Sequence, residues 1–124
     1  MKSVSTDRAP AAAGPYSQAI DDDGVIYVSG QIPVDPSTGK VPEDIADQAR
    51  QALENLRSVV EAAGSSMSRV TKVTVYITDM AAFPRVNAVY SEFFSEPYPA
   101  RSCIGASALP KGVKIEIDAI ARAR

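Results

Sequence analysis

The sequence predicts an α+β fold in the order β-β-α-β-α-β-β, with two helices packed on one face of a mainly antiparallel sheet. Three observations carry that expectation. Residues 45 to 63 place their apolar side chains at the helical period. Residues 70 to 78 alternate apolar and polar, as a strand with one buried face does. Clusters of Gly, Pro and Asp fall between such segments rather than inside them.

Taken in order, Ser17-Gln18-Ala19-Ile20 and Val25-Ile26-Tyr27-Val28-Ser29 read as hairpin strands joined by the turn Asp21-Asp22-Asp23-Gly24. The second strand is β-branched and aromatic, and Gly30 bounds it. Asp35-Pro36-Ser37-Thr38-Gly39 is dense in turn formers and makes a loop. The first helix aligns Ile45, Ala49, Ala52, Leu53, Leu56, Val59, Val60 and Ala63. Pro42, Glu43 and Asp44 suit its first turn, because proline needs no amide partner there and acids favour the positive end. Gly64 suits its stop. In the strand from Val70 to Thr78, Val73, Val75 and Ile77 share the buried face. A second helix is expected from Pro84 to Phe94, with Val86, Val89, Tyr90, Phe93 and Phe94 inward. Two strands close the chain, Arg101 to Ser107 and Val113 to Ala121, joined by Ala108-Leu109-Pro110-Lys111-Gly112.

Composition narrows the chemistry. The chain has 124 residues, 13 Lys+Arg against 15 Asp+Glu, no histidine, no tryptophan and one cysteine. That length suits a single domain over residues 1–124, which buries roughly two-thirds of the surface its unfolded form exposes. Without histidine there is no Ser-His-Asp or Cys-His pair and no HExxH zinc site. With Cys103 alone there is no intrachain disulfide. Acid–base work falls to carboxylates, Tyr, Lys or water. A net charge of −2 with scattered basic residues gives no nucleic-acid footprint. No stretch approaches the ~20 apolar residues that span a bilayer, so no membrane partner is expected. Met1 to Arg8 carries no apolar signal segment, and a free thiol suits a reducing compartment, so the expected location is the cytoplasm.

The two last strands are expected to pair as a hairpin. Ile104 opposite Ile115 and Ala106 opposite Val113 would match their apolar faces. That register sets Cys103 opposite Glu116 and Arg101 opposite Asp118, so an arginine, a thiol and two carboxylates share one face. The face fits two descriptions. One is a solvated surface with cross-strand charge pairs, each worth only ~0.2–1 kcal/mol. The other is a site for a small anion, in which Arg101 grips a carboxylate with two bonds and Glu116 polarises a water.

These residues also resemble a family signature. Pro99-Ala100-Arg101-Ser102-Cys103, Leu109-Pro110-Lys111-Gly112 and Ile115-Glu116-Ile117 look like the RidA (YjgF-type) imine/enamine deaminases. Gly14-Pro15-Tyr16-Ser17-Gln18-Ala19, Ser29-Gly30-Gln31-Ile32-Pro33, Gln51-Ala52-Leu53-Glu54-Asn55 and Val86-Asn87-Ala88-Val89-Tyr90 agree, so the resemblance covers nearly the whole chain. It implies a chorismate-mutase-like fold and a homotrimer with a site at each subunit interface. It implies hydrolysis of 2-aminoacrylate and 2-iminobutanoate to 2-oxo acids and ammonia, without a cofactor. Carried over, Arg101 binds the substrate carboxylate and Glu116 positions or activates the water. The backbone of Gly30 and Cys103 helps hold the ligand, and Tyr16, Ser29 and Asn87 line the pocket. The sequence departs from the family pattern at Ala13 and in the short connection Ser95-Glu96-Pro97-Tyr98, which borders the Arg101 strand.

Each residue has an ordinary structural use as well. Arg101 and Glu116 could be charge partners, Cys103 a small buried hydrophobe, Tyr16 packing, Ser29 and Asn87 local hydrogen bonders, and Gly30 a strand stop. A non-catalytic binder or sensor of small 2-oxo acids would use Arg101 without needing Glu116. Ribonuclease or translation-inhibitor activity, and a chaperone-like holdase, are the remaining alternatives.

Overall fold

The computed structural model describes residues 1–123. Strand β1 (Lys2–Val4) lies antiparallel on β2 (Ala19–Asp22), which turns back into β3 (Val25–Gln31). The turn is shorter than expected: Asp22 already pairs with Val25, leaving Asp23 and Gly24 at the tip. Both have positive φ, 54° and 86°, which is the two-residue hairpin geometry that Asp-Gly adopts readily. β1 escaped the sequence reading because three residues are too few to display alternation.

Helix α1 (Ile45–Ala62) follows the loop. Its first turn is not Pro42-Glu43-Asp44. Asp44 is instead the cap, with extended backbone and a carboxylate that accepts from the amides of Ala46 and Asp47. Leu53, Leu56, Val59 and Val60 are fully buried against the sheet. Each such side chain contributes about 1.5–3 kcal/mol relative to exposure. Strand β4 (Val70–Ile77) turns Val73, Val75 and Ile77 to the same core, as its alternation predicted. Helix α2 (Phe83–Tyr90) is shorter than expected at its end and caps at Ser91, whose hydroxyl donates to the carbonyl of Ala88. Phe94 still reaches the core from the turn beyond, and Phe93 packs at its edge.

β5 (Ala100–Gly105) and β6 (Ile115–Arg122) complete a six-stranded sheet in the order β1-β2-β3-β6-β4-β5. The expected hairpin between them does not form. β6 runs antiparallel between β3 and β4, and β5 pairs parallel with β4 at the sheet edge. Apolar complementarity explains the choice. Ile115, Ile117 and Ala119 of β6 meet Ile77, Val75 and Val73 of β4, an almost completely buried match. Ile104 and Ala106 offer much less, and Ile104 stays 45% exposed. Both helices lie on one face of this mainly antiparallel sheet, and no helix among the described residues is long and apolar enough to cross a membrane.

Candidate functional site

This strand order divides the candidate residues into two groups on opposite faces. Directly paired residues share a face. Arg101 and Cys103 pair with Val73 and Val75, so they lie on the helix side. Glu116 and Asp118 pair with Tyr76 and Thr74 and lie on the open side. The expected pairs Cys103–Glu116 and Arg101–Asp118 are therefore absent. β4 intervenes, so Glu116 is two strand spacings, roughly 10 Å, from β5.

The first group gathers at β3 and β6. The β3–β6 register slips between Val28 and Gln31: three steps on β3 match two on β6, from Ala119 to Ile117. This is a bulge at Ser29-Gly30, a device that re-aims side chains. Gly30 is thus not a strand stop, since β3 continues to Gln31. A Cβ on Gly30 would collide with Glu116 Oε2 and lie 2.8 Å from its Cδ, so the glycine makes room for the carboxylate. Glu116 is half-buried, and burial together with the nearby Asp118 charge pushes its pKa above the ordinary value. Asp118 in turn accepts a 3.0 Å bond from the Tyr76 hydroxyl. The hydroxyl of Ser29 donates to the carbonyl of Ser17 at 2.6 Å, tying the segment that carries Tyr16 to β3. Tyr16 is 54% exposed, and with Gly30 it lines a small cavity of about 70 Å³.

The second group gathers where α2 meets β5. Arg101 Nη1 donates to Asn87 Oδ1 at 2.7 Å. Its guanidinium lies over the rings of Phe83 and Tyr90, with centroids 5.0 and 4.6 Å away. Among the described residues Arg101 joins no ion pair; the three present are Arg50–Glu92, Arg57–Glu54 and Arg85–Asp44. Asn87, Tyr90, Ser91, Tyr98, Pro99 and Arg101 line a cavity of about 430 Å³. The connection that departs from the family pattern thus supplies a wall of it through Tyr98. Cys103 lies two residues along the same strand face, half-buried, with its thiol pKa pushed up by burial despite nearby Arg101. A thiol held in that state is a poor nucleophile.

The sequence reading missed the residues that hold the first group in place. Asn55 is 1% exposed on the apolar side of α1, and its amide donates to the carbonyls of Ile32 and Val34 at 3.0 and 2.9 Å. It pins the loop after Gly30 to the helix. Gln18 is buried too and donates to the carbonyls of Thr6 and Pro10, fixing the N-terminal segment. A polar residue at a core position is a readable signal, because it is tolerated only with its bonds satisfied. No cluster of three or more His, Cys, Asp or Glu among the described residues could hold a metal.

The mixed sheet thus carries an arginine outside the ion pairs at one edge and a half-buried carboxylate beside a bulge, in an α+β fold of the RidA type. The chain belongs to the family described as Endoribonuclease L-PSP, whose model matches residues 6–123. It is 52% identical to the 2-iminobutanoate/2-iminopropanoate deaminase of Escherichia coli K12, over 97% of this chain and 96% of that one. Two crystal structures are similar in fold throughout. E. coli TdcF with bound serine shares 50% identity and a TM-score of 0.94 over 98% of both chains. RidA from an Antarctic Psychrobacter shares 43% identity and a TM-score of 0.95 over 98% of this chain and 99% of that one.

Proposed function

We propose that the protein hydrolyses reactive 2-imino and enamino acids, such as 2-iminobutanoate and 2-aminoacrylate, to 2-oxo acids and ammonia. The observation that carries this reading is Arg101, a guanidinium without an acidic partner among the described residues that lines a cavity of about 430 Å³. A free fork of this kind grips a carboxylate with two parallel bonds. The similarity to a named 2-iminobutanoate deaminase, and to TdcF with serine bound, supports a small carboxylate substrate.

The two groups become one site when a second copy covers the first. β5 is an edge strand, open along its outer side, and the open sheet face presents Ile104 and Tyr27, 45% and 49% exposed. In this reading the protein is a homotrimer with sites at its interfaces. One subunit supplies Arg101, Asn87 and the backbone of Cys103, and the next supplies Glu116, Gly30, Ser29 and Tyr16. Each 124-residue chain acts as a single domain in the cytoplasm, where the thiol of Cys103 stays reduced.

The reaction then needs no cofactor. Arg101 fixes the carboxylate. Ionised Glu116 takes a proton from water as the oxygen attacks the iminium carbon, and returns it to nitrogen in the carbinolamine. The C–N bond breaks, the hydroxyl proton leaves, and a ketone and ammonium are released. Holding the reactants in line contributes several kcal/mol, and the proton transfer roughly 10²–10⁴-fold. For an enamine, carbon is protonated first, from water held by Glu116.

A coupled assay tests this directly: a dehydratase generates the imine while 2-oxo acid formation is followed with and without the protein. Arg101→Ala abolishes the acceleration while the oligomer stays intact; an undiminished rate in that variant overturns the assignment. The serine held by TdcF also fits a sensor that binds carboxylates without turning them over. Glu116→Ala separates the two, because a sensor keeps its function and a deaminase loses turnover.

A further inference from the structure

We infer that Phe83 and Tyr90 are positioning residues that preset the Arg101 guanidinium for its carboxylate. This rests on the reading of Arg101 given above and extends it to the two rings that lie against its guanidinium.

An arginine side chain on an exposed edge strand has many rotamers, and ordering it costs binding free energy. Acidic neighbours are the common way to order one, but an ion pair would compete with the substrate. Arg101 is held without one among the described residues. Its ring neighbours, at 5.0 and 4.6 Å from Cζ, attract the cation through their π faces. Asn87 Oδ1 fixes one Nη1 proton, which sets the rotation of the plane. Both kinds of partner are neutral, so the charge stays available and the remaining donors of the fork stay free.

The rings are themselves firmly placed. Phe83 opens α2 and packs against the core from its edge. Tyr90 closes the same helix, is 5% exposed, and stacks at 4.6 Å on Phe94. Its hydroxyl is buried without a hydrogen-bond partner among the described residues. A buried orphan hydroxyl gives no stability, so the aromatic face is what this position supplies.

The test measures binding of 2-oxobutanoate, the stable product, by calorimetry, with thermal unfolding followed alongside. Phe83→Leu and Tyr90→Leu each weaken binding about 3- to 10-fold. Phe83→Tyr and Tyr90→Phe keep a ring and stay within about twofold of the parent. A leucine variant that fails to fold is replaced by methionine, which keeps the volume without a ring. The contrast between ring-keeping and ring-deleting variants is the readout that mere packing would not give. Unchanged affinity in folded ring-deleting variants, with Arg101→Ala still abolishing binding, overturns the inference alone. Unchanged affinity in Arg101→Ala overturns the site reading with it.

Discussion

The carboxylate of Glu116 occupies the space that a side chain at residue 30 would fill. The Ser29-Gly30 bulge brings the β3 backbone over β6 at this point, and the absence of a Cβ lets Oε2 approach. Gly30→Ala forces Glu116 out of this position. The expected result is a fall in imine hydrolysis of about 10²-fold or more, the scale of a displaced general base. Steady-state rates check this, with circular dichroism to establish that the sheet persists.

Asp118 sits beside Glu116 on the same strand face and raises its pKa. Turnover by an ionised base rises with pH through that pKa. Asp118→Asn removes one negative neighbour, so the Glu116 pKa falls and the acid limb of the rate profile moves to lower pH. Burial, the larger cause of the shift, remains, as does the Tyr76 ring. A pH–rate profile of both proteins checks the direction.

Much of this is legible in the sequence alone. The α1 and β4 patterns name their buried apolar residues directly, because each follows one period with no competing signal. The pairing of β5 was not legible. Faces match locally in several ways, and only the fully apolar Val73-Val75-Ile77 row decides that β6 lies beside β4. The pairing has a consequence: residues that local face matching puts on one face lie on two. The sequence marks Arg101 and Glu116 as candidates for chemistry, while their separation within the chain does not show there. The bulge was equally hidden, since a glycine that ends a strand and one that bulges it read alike.

Asn55 gives a stability prediction. Asn55→Ala strands the buried carbonyl of Val34, while that of Ile32 keeps the Val34 amide as its donor. A buried acceptor left without a partner costs about 1–3 kcal/mol. Urea unfolding should show a lower midpoint with an unchanged slope, and activity should drop with the loosened loop.

Cys103 should prove dispensable for chemistry. Its thiol is held protonated by burial and lies against the core. Cys103→Ala is expected to keep turnover within about tenfold, because only contact area is lost. A covalent role would show as loss of several orders of magnitude and as capture of the substrate on the thiol.

The central claim is that one subunit's Arg101 works with the next subunit's Glu116. Co-refolding equal amounts of Arg101→Ala and Glu116→Ala, each inactive alone, tests it most directly. Random trimers then carry both intact residues at about a quarter of their interfaces, so about a quarter of wild-type deaminase activity is expected to return. A mixture as inactive as its two components would contradict the shared site.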